Sequence, residues 1–65
     1  MKILSKKHQD EILKRVAACQ IICNKYINDI EAFDKMTENL SDIAVTVDFR
    51  NGADKVINTV HKYNE

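Results

Sequence analysis

The chain has 65 residues, ten Lys and Arg balanced by ten Asp and Glu, 45% hydrophobic residues, a single glycine and no proline. This composition excludes a disordered tail and disfavours a fold of many strands and turns. A 7.5 kDa chain buries only about 60% of the surface that its extended form exposes. Chains of this size commonly need a staple, a metal or a partner subunit for stability.

The chain contains no stretch that approaches the roughly 20 apolar residues needed to cross a bilayer. Residues 1–8 turn basic again after two apolar residues, so we expect no secretory signal and no membrane partner. Cys19 and Cys23 are therefore expected to be thiols in a reducing cytoplasm.

The strongest pattern is an apolar seam in which the steps alternate between four and three residues. Its members are Ile12, Val16, Cys19, Cys23, Tyr26, Ile30 and Phe33. Such heptad spacing is typical of an amphipathic helix or a coiled coil. Ser5 is the predicted N-cap, and pairs such as Glu11 with Arg15 favour the helix from its outer side. We predict one long helix over residues 6–35, about 45 Å in length.

The end of this helix is less well defined. The heptad spacing continues to Val47, which leaves an unbroken rod to about residue 50 as an alternative. Further apolar residues flank the seam, however, and make the face wider than a two-stranded coil needs; they are Leu13, Ile22, Ile27, Met36 and Ile43. A wide face requires neighbours on more than one side, as in a bundle. Because Thr37 offers a cap, we predict a turn at residues 35–38.

Two shorter helices are predicted to follow, at about 38–49 and 53–63, with a break at Gly52. The β-branched stretch 43–49 before Asn51 and Gly52 indicates an alternative, a β-hairpin over residues 43–60. A lone hairpin is marginal in water. The predicted fold is therefore all-α: a single domain over residues 1–65, with the long helix packed antiparallel on two shorter ones, as an oligomer. The alternative is α+β with a C-terminal hairpin.

The residues that could carry chemistry are few. Cys19 and Cys23 lie four apart on one helix face and could supply two metal ligands, but within the seam they are expected to pack as small apolar residues. His8 and His61 have no evident nucleophile or carboxylate partners, and one glycine excludes a Gly-rich phosphate loop. We predict no enzyme, no cofactor and no catalytic or metal-binding residue.

Charge is distributed unevenly along the chain. Residues 1–15 carry five cations and two anions, whereas residues 16–48 carry two cations and six anions. Opposite signs of this kind can orient an association. Residues 40–62 also suggest a helix-turn-helix, but Asp48 stands where a turn glycine is usual, and the second helix offers only Lys55 and Lys62 for phosphates.

The function predicted from these features is a small, non-enzymatic protein–protein interaction module that self-associates or binds a partner protein through the seam. A DNA-binding regulator that uses the C-terminal helix pair is the alternative. We expect Phe49 and Tyr63 to be buried; if exposed, they become candidate partner anchors, since aromatic residues concentrate binding energy. The small size would suit a product of a mobile genetic element.

Overall fold

The computed structural model describes residues 4–63 and the backbone of residue 64. Three helices follow one another: α1 (Lys6–Tyr26), α2 (Ile30–Val47) and α3 (Gly52–Asn64). Each helix packs against both of the others, so the predicted all-α three-helix bundle is confirmed. The alternative hairpin is wrong, because residues 43–47 complete α2, residues 52–60 belong to α3, and the described range contains no strand.

Helix α1 starts where the sequence predicts. The side-chain oxygen of Ser5 accepts a hydrogen bond from the backbone N–H of His8 at 3.3 Å, which satisfies one of the free donors of the first turn. Arg15 donates to the carboxylate of Glu11 at 3.1 Å across one turn of the exposed side. Propensity and these local contacts are sufficient to define this end of the helix.

The predicted continuous helix over residues 6–35 is wrong, as is the longer rod. Helix α1 ends at Tyr26, and Ile27 adopts an extended backbone while its N–H donates to the Cys23 carbonyl at 3.0 Å. Asp29 then caps α2, accepting a hydrogen bond from the backbone N–H of Glu31 at 3.0 Å. The heptad spacing conceals this break, because the apolar residues of both helices keep the same phase across a three-residue connection.

The predicted turn at residues 35–38 is also wrong, since these residues lie inside α2. Thr37 does not cap a helix. Its side-chain oxygen instead accepts a hydrogen bond from the amide of Gln20 on α1, at 3.3 Å. Thr37, predicted to cap a helix, therefore forms a tertiary contact in the fold, and the N-cap of α2 is Asp29, which was not predicted.

The second connection is built around Asp48. Its carboxylate accepts a hydrogen bond from the Asn51 backbone N–H at 3.2 Å, and its carbonyl accepts one from the Gly52 N–H at 2.9 Å. Gly52 is buried against α2, where a Cβ atom would overlap the carbonyl oxygen of Ala44. Glycine is required here because the two backbones touch.

The contacts between helices fix their directions. Gln20 and Thr37 lie at similar distances from the connection between α1 and α2, so these helices are antiparallel. Lys55, early in α3, contacts Asp10, early in α1, at 3.3 Å. Helix α3 therefore runs in the same sense as α1, and of the two shorter helices only α2 is antiparallel to α1. Two short connections each reverse the chain, which makes this the natural outcome.

The core lies between the three helices and is small. Its buried residues are Leu13, Val16, Ala17, Cys23, Leu40, Ala44 and Val56. None of them is aromatic, and two are alanines, so the helices approach closely at a few points and leave many larger apolar side chains at the surface. Because burial is limited, apolar side chains remain exposed on the surface of the bundle.

Candidate interaction surface

Helix α3 covers only one side of the hairpin formed by α1 and α2. On α1, Asp10 and Lys14 face Lys55 and Thr59 of α3. On α2, Ser41 faces α3 across a groove. Helical geometry, about 100° per residue, then determines which residues point to the opposite side.

On the side away from α3, the two helices present a second set of apolar residues. Ile12, Cys19 and Tyr26 follow one another at intervals of seven on α1, and Met36 and Ile43 do so on α2. Two turns of helix bring each residue back to nearly the same direction. We call these five residues the back face.

The back face is largely open to solvent. Tyr26 is 66% exposed and Ile43 is 45% exposed, with Met36 and Cys19 also exposed and Ile12 half-buried. Ile22 lies at the outer edge of α1 beside Tyr26 and is exposed as well. Clusters of exposed apolar side chains occur at interaction surfaces of proteins.

Charged side chains of both signs border the back face. The α1 edge carries Arg15, whose guanidinium remains mostly exposed although it bonds to Glu11. The exposed surface of α2 carries Glu31, Asp34, Glu38 and Asp42, with Lys35 among them. A polar rim around an apolar centre is the usual anatomy of a protein–protein interface.

A groove lies between α2 and α3. This groove has a volume of about 230 Å³ and is lined mainly by apolar residues, with Leu40 and Val56 at its floor and Ile57 and His61 on its α3 side. The amide of Gln20 closes the floor by donating to Asn24 at 2.9 Å and to Thr37 at 3.3 Å. The groove lies between α2 and α3, whereas the back face extends along α1 and α2.

Lys55 joins the three helices and lines the cavity between α1 and α3. Its ammonium lies 3.3 Å from the carboxylate of Asp10 and 3.6 Å from that of Asp48. One cation therefore ties the first turns of α1 and α3 to the end of α2. Both pairs are partly exposed, so each contributes modestly to stability.

The predicted seam does not remain on one surface. Val16 and Cys23 are buried in the core, and Ile12 and Phe33 pack against it. Cys19 and Tyr26 belong to the back face, and Ile30 is 78% exposed at the start of α2. The break at residues 27–29 places the seam residues on two different helices. Heptad spacing does not detect this break, because it does not depend on the direction of the helix.

Phe49 and Tyr63 are not buried as expected. Phe49 is 86% exposed in the connection between α2 and α3, and Tyr63 is exposed in the last turn of α3. Neither belongs to the back face. Phe49 and Tyr63 were the predicted partner anchors, whereas the back face contains Met36 and Ile43. These two residues were identified in the sequence only as apolar residues that flank the seam.

The two cysteines have different environments: both are free, with Cys19 exposed and Cys23 buried. His8 forms a local contact, its Nδ1 lying 3.0 Å from the Ser5 hydroxyl. Within residues 4–64, no group of three or more His, Cys, Asp or Glu side chains is placed to hold a metal ion. None of the helices in that range is both long and apolar enough to traverse a bilayer.

Comparison with known proteins gives no relative to interpret. The chain matches none of the family models, curated proteins or solved structures with which it was compared.

Proposed function

We propose that this chain is a small, non-enzymatic protein–protein interaction module whose docking surface is the back face. The observation that carries the proposal is the set of exposed apolar side chains on two packed helices, Cys19 and Tyr26 on α1 with Met36 and Ile43 on α2. Burying such a surface is favourable at about 25 cal/mol for each Å² of apolar area.

The total exposed surface supports the same proposal. The chain exposes 5449 Å², whereas the area expected for a compact monomer of its mass is about 4,200 Å². The excess is comparable to the roughly 800 Å² that each partner buries in an interface of standard size. The back face contributes to this excess together with exposed apolar residues elsewhere, such as Phe49 and Ile30.

The DNA-binding alternative has weaker support. Lys55, one of the cations predicted to contact phosphates, already lies beside the carboxylates of Asp10 and Asp48. The exposed surface of α2 is net acidic, which would repel a phosphate backbone. These charges favour a protein partner.

We place the module in the cytoplasm. Cys19 is an exposed free thiol on the back face. In an oxidising compartment an exposed unpaired thiol tends to form intermolecular disulfides, and a reducing compartment avoids this.

The test is a comparison of three tagged baits in extracts of the source cell: the wild-type chain, Ile43→Glu on the back face, and Ile57→Glu as the matched control. Ile43 and Ile57 are 45% and 51% exposed, so the two substitutions introduce the same charge at similar cost to the fold. We expect a protein, identified by mass spectrometry, to be retained by the wild type and by Ile57→Glu and lost with Ile43→Glu. The same set of proteins with all three baits would refute the proposal.

A further inference from the structure

We draw no further inference here: the strongest candidate, the apolar groove between α2 and α3 with Leu40 and Val56 at its floor, carries nothing because nothing in the part of the chain that the structure describes shows what covers it.

Discussion

The two sides of the α1–α2 hairpin differ in what covers them. On one side, Leu13, Leu40 and Ala44 are buried by α3 and form the core. On the other side, Cys19, Met36 and Ile43 present similar apolar chemistry to solvent. The core residues and the back-face residues follow the same helical spacing in the sequence. A single third helix can cover only one of these two sides.

This difference shows why a small helical chain can be folded and still incomplete. The core holds seven buried residues, two of which are alanines, so only a few side chains fix the bundle. Apolar residues outside the core contribute little until a partner removes them from water. Substitutions on the α3 side and on the back face should therefore change the free energy of unfolding by different amounts.

The largest expected effect distinguishes two positions three residues apart on α2. Leu40→Ala should lower the free energy of unfolding by about 2–5 kcal/mol, because it leaves a cavity in the core. Ile43→Ala should cost less than about 1 kcal/mol at low micromolar concentration, where its side chain is exposed. Urea unfolding at several protein concentrations measures both. Equal losses for the two variants at low concentration would contradict the distinction between core and back face.

Gly52→Ala tests the close approach of α3 to α2. The added Cβ would overlap the carbonyl of Ala44, so the two helices must separate and the core must loosen. We expect a loss of about 1–3 kcal/mol, typical of overpacking. Asn58→Ala, an exposed substitution in the same helix, serves as the control in the same denaturation series. Unchanged stability in Gly52→Ala would show that the α3 side is not held by this contact.

Asp29→Ala tests the break that the heptad pattern hides. Removal of the cap should cost about 1 kcal/mol, since the N–H of Glu31 loses its acceptor. Asp29→Ser should retain most of the stability, because serine is also a good N-cap. Thermal unfolding followed by circular dichroism compares the two. A neutral Asp29→Ala would mean that α2 is fixed entirely by packing.

Lys55→Met is expected to have the smallest effect. It removes the pairs with Asp10 and Asp48 but keeps the aliphatic stem, so the loss should be about 0.5–1 kcal/mol and should shrink in high salt. A double-mutant cycle with Asp10→Asn isolates the contact between α1 and α3. A loss that does not respond to salt would assign the role of Lys55 to packing.

Part of the fold could be predicted from local sequence. The start of α1 at Ser5, a break next to Gly52 and the helical state of residues 43–47 and 53–60 follow from capping and periodicity. The end of α1 could not be predicted in the same way: the apolar residues on either side of residues 27–29 stay in phase, and only a cap at Asp29 marks the break. Periodicity reports which residues share a face, and it does not report where the chain reverses.

The candidate surface was partly predictable for the same reason. The width of the apolar face indicates that more than one neighbour is needed, and Met36 and Ile43 are among the residues that widen it. Which of the flanking residues remain exposed depends on the side that α3 takes. Phe49, Tyr63 and Ile30 lie at positions where local sequence gives no indication of burial, since their environment is set by connections and helix ends.

The sequence by itself determined that this chain is helical, that its helices are amphipathic over a broad arc, and where two of its helices begin. These properties arise from local hydrogen bonding and from the spacing of apolar side chains. Tertiary structure alone decided which arc became the core. Gly52 permits α3 to touch α2, Lys55 ties it to Asp10, and the contact of Gln20 with Thr37 sets the register of the hairpin. Those contacts join residues far apart in the chain, so no local pattern encodes them.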